Sequence, residues 1–159
     1  MTTSTKTKMF QILQKTIFEY CVDNDHINDI RQIISNNGKS FSDSIKNNDI
    51  IRIKSLASNE LTMAGYVTKD VNELNFTTCR RTNVEVKYIG EDAEEKLQHV
   101  VNVLRNSLRA NQCLKKYGFF IERISGVQNI SAVFNDTYYE QAVIEVLVIH
   151  NVVDVVDCD

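Results

Sequence analysis

Residues 82–108, TNVEVKYIGEDAEEKLQHVVNVLRNSL, decide the fold because a strand pattern gives way to a helix pattern at one glycine. Val84, Val86 and Tyr88 alternate with polar residues, which predicts a strand with one buried face. Beyond Gly90 the pattern predicts a helix over 91–111 with a capping box at its start. The capping pair is Asp92 with Glu95. The continuous apolar stripe consists of Leu97, Val100, Val101, Leu104 and Leu108.

Two more strands are predicted after this helix. The stretch FFIERISGV predicts a strand over 119–127, and a polar link over 128–137 leads to a long strand over 138–150. The long strand, YYEQAVIEVLVIH, is polar or aromatic at its start and apolar on both sides later. This pattern predicts a central strand, or a strand whose outer face meets another chain.

The N-terminal half has a weaker pattern. Residues 1–7 are expected to be a frayed leader, and MFQILQKTIFEYC over 9–21 predicts a helix with its apolar positions on one face. A second short helix is predicted over 25–36, where Asn24 or Asp25 is the N-cap and the NNG sequence forms the end. The stretch IIRIKSLA predicts the first strand over 50–57.

Residues 58–76 and the C-terminal end have no clear helix or strand pattern. The pattern over 58–76 leaves a strand, a projecting hairpin and a mobile loop open. Residues 154–159, with three aspartates, are interpreted as an acidic tail. The predicted elements together indicate an α+β fold, with a mostly antiparallel sheet and helices packed on one face as a single pair of layers. We expect one domain over 1–159.

Charge and hydropathy restrict the classes of partner. The 159-residue chain has a formal net charge of −3 and a pI near 5.6. A general nucleic-acid-binding protein normally carries a basic patch, whereas here only Arg80-Arg81 and Lys115-Lys116 are adjacent basic pairs. No apolar run approaches the ~18 residues of a membrane span, and the start lacks a signal-peptide core. We therefore expect an intracellular, soluble protein with no membrane partner.

Motifs for catalysis, cofactors and metals are not found. The four cysteines form no CxxC pair, and the three histidines have no zinc-ligand spacing. The stretch DNDHINDI over 23–30 begins like a calcium loop, but Ile27 stands where the loop needs an oxygen ligand. With five glycines in all, the chain has neither GxGxxG nor a phosphate-binding loop. We therefore predict no catalytic, cofactor-binding or metal-binding residues.

The C-terminal half resembles the tail-terminator or neck-terminator proteins of tailed bacteriophages. The resemblance lies in an ordered series over roughly 78–153, which is made up of the strand TNVEVKYIG, the helix GEDAEEKLQHVVNVLRNSL, the strand LKKYGFFIERISGV and the last strand NDTYYEQAVIEVLVIH. It implies a structural virion protein of the tail or neck that is assembled in the host cytoplasm. Such a protein forms a ring, commonly a homohexamer, that caps the head-proximal end of the tail tube and ends its polymerisation.

The resemblance also implies partners. These are other copies of the chain, the tail tube protein and a head-completion or connector protein, while a tail sheath stays open as a fourth. DNA passes through the lumen without specific binding, which an acidic chain favours. A ring needs a heterologous interface, in which one patch meets a different patch of the next copy. We expect contacts at the start of the last strand and at an arginine pair, that is, at Tyr138, Tyr139, Glu140, Gln141, Arg80 and Arg81.

Two other classes stay open at this point. Another phage head–tail joining, completion or minor tail protein would share the composition and would differ in its position in the particle. A small α+β enzyme would need a pocket in which titratable side chains converge from distant parts of the chain.

Overall fold

Two long antiparallel strands organise the fold of this protein. Its structure is a computed structural model, which describes residues 5–23, 25–35, 49–61, 65–70, 73–134 and 136–157. The helices are α1 (Thr5–Thr16), α2 (Ala93–Asn106) and α3 (Leu108–Lys116), and a π-helical turn (Ile17–Cys21) continues α1. The strands are β1 (Ile33–Ser35), β2 (Ile50–Glu60), β3 (Gly65–Asp70), β4 (Glu73–Ile89), β5 (Phe119–Ile124), β6 (Gln128–Asn129), β7 (Ala132–Phe134), β8 (Thr137–Tyr139) and β9 (Gln141–Asp157).

The main sheet has the strand order β1-β2-β4-β9-β5. Strand β3 pairs with β4, and β6 pairs with β9. The β1–β2 pair is parallel, and the other described pairs are antiparallel. The predicted α+β class with a mostly antiparallel sheet is confirmed.

The core lies between one face of the sheet and the helices. The predicted alternation in β4 is confirmed, since Val84, Val86 and Tyr88 are buried while the residues between them are half-exposed. Helix α1 with its π-helical continuation, and helix α2, place their apolar stripes on this face. The stripe residues include Leu13, Ile17, Leu97, Val100, Val101 and Leu104. The other face of β9 has half-buried Val143 and Leu147 beside exposed Glu145. Helices therefore pack on one face, as predicted.

The predicted single helix over 91–111 is wrong in two details. The helix breaks at Ser107, whose side chain accepts a hydrogen bond from the Ala110 N–H at 3.2 Å and so caps α3. After this break Leu108 is 71% exposed instead of continuing the buried stripe. The capping box is also wrong, because Asp92 has φ 56° and its side chain makes no cap hydrogen bond.

The predicted second helix over 25–36 is wrong. This segment has a turn, a single 3₁₀ turn (Ile30–Gln32) and then β1. The Asp29 carboxylate accepts from the Arg31 N–H, and the Gln32 side chain accepts from the Asp29 N–H, so polar side chains close one turn only. The β-branched Ile33 and Ile34 then pair with β2, where a strand suits them better. The predicted NNG end at 36–38 lies outside the described residues.

The ends of the predicted domain need correction as well. Residues 5–7, expected in a frayed leader, are in α1, and residues 154–157, expected in an acidic tail, are in β9. The uncertain segment over 58–76 contains the end of β2, then β3, and the start of β4. Strand β3 forms an antiparallel hairpin with β4, with Gly65 opposite Thr77, so the hairpin alternative is the one observed.

The predicted long strand over 138–150 is divided at Glu140. Strand β8 belongs to a separate hairpin with β7, so the predicted polar link over 128–137 contains β6, β7 and the start of β8. Strand β9 starts at Gln141 and is central, since it lies between β4 and β5. The first prediction for this stretch, a central strand, is therefore confirmed from Gln141 onward.

A ribbon continues the sheet past the helix layer. Strands β4 and β9 have 17 residues each and pair throughout, from Glu73 opposite Asp157 to Ile89 opposite Gln141. Among the described side chains, burial in β4 begins at Thr82, and burial in β9 ends at His150. The other half of each strand, with β3 beside it, forms the segment that we call the ribbon: residues 65–70, 73–81 and 151–157.

The helix–sheet contact should dominate the stability of the fold. Leu97→Ala removes a fully buried side chain from α2 and should lower the free energy of unfolding by about 2–5 kcal/mol. Leu108→Ala is the matched control, because the same side chain at 71% exposure should change stability by less than about 0.5 kcal/mol. Urea unfolding followed by circular dichroism measures both. Equal losses in the two variants would contradict the assignment of the core.

Candidate functional site

The six residues predicted at a subunit contact lie in two separate places. Arg81 is opposite Ile149 at the middle of the β4–β9 pair, whereas Gln141 is opposite Ile89 at one end of it. Eight residues of strand separate these positions, which is about 26 Å at 3.3 Å per residue. The structure therefore places the arginines at the middle of the paired region and the start of the last strand at one end of it.

Glu140 and Gln141 have partners inside the chain. A Glu140 carboxylate oxygen accepts from the Asp92 N–H at 2.5 Å, and the Glu140 carbonyl accepts from the Gly90 N–H at 3.0 Å. A carboxylate at this position faces the positive end of the α2 dipole, where a negative charge is favourable. Glu140 therefore makes the bond to the N-cap N–H that the predicted capping box assigned to Glu95.

The two arginines also bind within the chain. Arg81 forms a bidentate pair with Glu122 on β5, with N···O distances of 2.6 and 2.7 Å. Arg80 donates from Nε to the Ser58 hydroxyl at 2.9 Å and from Nη2 to the Ser58 carbonyl at 3.3 Å. These bonds tie β4 to β5 and to β2, so neither guanidinium needs a second copy of the chain as its partner.

The β7–β8 hairpin carries the most exposed of the predicted contact residues. Tyr138 is 62% exposed, and its register partner Val133 is 68% exposed. A large aromatic side chain beside an exposed valine, both fixed on a two-stranded hairpin, forms a small apolar surface. Sequence reasoning found Tyr138 but missed Val133, which it had placed in a polar link.

A cleft of about 390 Å³ brings together titratable side chains that are distant in sequence. It lies where the π-helical turn and the loop after it face the start of α2. Its lining includes Cys21, Asp23, His26, Tyr88, Lys96 and His99. It is the arrangement that the enzyme alternative requires, so the protonation of each group decides what it can do.

Asp49 ties two of the lining residues together. Its Oδ2 accepts from the Tyr88 hydroxyl at 2.5 Å and from Lys96 Nζ at 2.8 Å, while His26 Nδ1 lies 3.9 Å away. Burial and the Asp49 carboxylate raise the pKa of Tyr88 far above its ordinary value, which keeps the phenol protonated. Burial raises the pKa of Cys21 to about 12, so this sulfur stays a thiol at neutral pH.

These protonation states favour a structural role for the cleft. The phenol donates instead of acting as a base, the thiol is not an activated nucleophile, and the ammonium is neutralised by Asp49. Asp49 directly precedes β2, Tyr88 is in β4 and Lys96 is in α2, so the two hydrogen bonds to Asp49 join two strands to the helix above them. Sequence reasoning missed this cluster because no local spacing links its members.

His150 is a buried residue of the last strand. It lies inside β9 instead of at a strand end, 3% exposed, with Nε2 at 2.7 Å from the Thr82 hydroxyl oxygen. The Thr82 hydroxyl also bonds to the Ser58 hydroxyl at 3.0 Å, so Thr82 links His150 to Ser58. Burial and then Arg80 lower the pKa of His150 below its ordinary value. Since Thr82 stands between Ser58 and His150, the histidine does not activate that serine.

A metal site or a membrane span would need a specific arrangement of the described residues. Among those that the structure describes, no three His, Cys, Asp or Glu side chains lie close enough together to bind a metal ion. Within the described ranges no helix is long and apolar enough to cross a lipid bilayer.

Comparison with known proteins adds no family assignment. The sequence matches no model of a known protein family, and no curated protein is significantly similar to it.

The Asp49 cluster should depend on Gly90. This glycine has φ +155°, and a Cβ at this position would run into the Asp49 carboxylate. Gly90→Ala should therefore displace Asp49 from Tyr88 and Lys96 and lower the free energy of unfolding by about 1–3 kcal/mol.

Gly126→Ala is the control for this substitution, because a Cβ there meets no atom within 4 Å. Urea unfolding should give a lower free energy of unfolding for Gly90→Ala than for Gly126→Ala. If Gly90→Ala were as stable as the unchanged protein, the cluster would not be holding β2 in place.

Proposed function

We propose that this chain is a structural phage protein that assembles as a ring on the head-proximal end of a tail tube. In this role it stops tube polymerisation and offers a docking surface to the head connector. The observation that carries the proposal is the ribbon, a stretch of sheet that extends past the helix layer. A sheet extension of this kind gives a small domain a surface for other copies of itself, which a monomeric enzyme does not need.

Three features of the described residues support the proposal. The order of strand, helix, strand and long last strand over roughly 78–153 is the order that resembles the terminator proteins. The outer face of the sheet carries half-buried apolar side chains such as Val143 and Leu147 without a second layer of described residues over them. The β7–β8 hairpin presents exposed Val133 and Tyr138. These surfaces suit contacts with neighbouring copies, with the tube protein or with the connector.

Electrostatics supports the same role. A ring through which DNA passes must not hold the phosphate backbone, and a chain with a formal net charge of −3 disfavours such binding. Two titratable groups of the cleft, Tyr88 and Lys96, are used in internal hydrogen bonds to Asp49. The same features suit another head–tail joining or minor tail protein, and the position of the chain in the particle distinguishes the two.

The solution mass tests the proposal directly. Light scattering behind size exclusion, over a range of concentrations, should show a discrete species of about 109 kDa, since six copies of the 18.2-kDa chain form a closed ring. A chain that stays monomeric should instead cap cognate tail tubes and limit their length in a tube-extension assay. A monomer that also fails to cap tubes would contradict the ring-terminator proposal.

A further inference from the structure

The ribbon has two outer edges, and each is open in the described part of the structure. The pairing of β5 with β9 ends where Phe119 is opposite His150. On that side of β9, no described strand lies beside residues 151–157. On the other side β3 pairs with β4, and no described strand lies beyond β3. The order across the ribbon is therefore β3, β4, β9, with one open edge of six residues and one of seven.

Backbone hydrogen bonds show which groups face the β9 edge. The Glu145 N–H donates to the Ser125 hydroxyl, the Glu145 carbonyl accepts from the Ser125 N–H, and the Gln141 carbonyl accepts from the Ile130 N–H. Odd-numbered residues of β9 thus point their backbone groups away from β4. The pairing of β9 with β4 has no register shift, and strand geometry alternates with period two. The outward backbone groups of the ribbon therefore belong to Asn151, Val153, Val155 and Asp157.

The same argument assigns the β3 edge. The Leu61 N–H donates to the Cys79 carbonyl, so odd-numbered residues of β4 point toward β2 and β3. Gly65 is opposite Thr77 and is therefore bonded to β4, whereas Tyr66 and Thr68 are opposite even-numbered residues of β4. The backbone groups of Tyr66 and Thr68 consequently face outward, away from the ribbon.

We propose that the β9 edge of the ribbon, residues 151–157, pairs with the β3 edge, residues 65–70, of a second copy of this chain. The two edges match in length, and each presents a row of backbone donors and acceptors that another strand satisfies. They lie on opposite sides of the ribbon, which is the heterologous arrangement that builds a ring. Because β3 and β9 both run antiparallel to β4, the joint between copies is parallel.

The closing of a ring explains why the strand that pairs with each open edge belongs to a second copy of this chain. Each added copy covers one open edge and presents an identical one, and only a closed ring removes every open edge. With three strands from each of six copies, the ribbons form a barrel of about 18 strands, a size that leaves an aqueous channel. This inference rests on the proposed ring function and specifies the contact that forms the ring.

Proline substitution on the β9 edge tests the joint. Val155→Pro removes an outward N–H and leaves the bonds of β9 to β4, which even-numbered residues make, in place. It should raise the concentration for half-assembly at least about tenfold, while the monomer stays folded. The matched control is Val155→Thr, which keeps the N–H and a β-branched side chain and should assemble as the unchanged protein does.

A second substitution tests the other edge independently. Thr68→Pro removes an outward N–H from β3 and should weaken assembly to a similar degree. Light scattering gives the mass, and circular dichroism shows that each variant is folded. If either folded proline variant assembles at the unchanged concentration while the parent forms rings, the edge-pairing inference is overturned and the ring function stands. If the parent neither forms rings nor caps tubes, both proposals are overturned.

Discussion

The antiparallel ladder between β4 and β9 is the constraint on which the rest of the protein depends. It runs over 17 residues of each strand without a register shift, whereas the pairings of β2 and β3 with β4, and of β5 with β9, all contain one. An unbroken ladder fixes which side chains face the helices. It also continues past the helix layer, so the same two strands form both the core and the ribbon.

The turn from β4 into α2 joins the two layers at one corner. Glu140 accepts the backbone N–H groups of Gly90 and Asp92, while Asp49 accepts from Tyr88 and Lys96. The absence of a Cβ at Gly90 leaves space for the Asp49 carboxylate, and its positive φ suits the turn, so one glycine serves both. Asp49, Tyr88 and Lys96 are residue types that also occur in catalytic pockets, but here their hydrogen bonds hold the helix on the sheet.

Burial periodicity explains which parts of the fold the sequence predicts. Val84, Val86 and Tyr88, and the stripe from Leu97 to Leu104, face the core at the periods of a strand and a helix. The break at Ser107 depends on one side-chain bond, and β1 depends on pairing with β2, so neither has a periodic signal. The Asp49 cluster joins residues that are distant in the chain, and residues 154–157 form a strand only because β4 extends beside them. Such features depend on tertiary partners that local patterns do not encode.

A sheet extension whose two edges are open among the described residues is the feature on which the proposed contact between copies rests. Helices cover one half of the ladder, and the proposal assigns the other half to assembly around an axis. The most direct test is cryo-electron microscopy of cognate tail tubes mixed with this chain. The account predicts a closed ring of copies on one end of each tube, with the ribbons paired around the lumen. Tubes with no added density at either end, or a ring in which helices instead of ribbons join the copies, would contradict it.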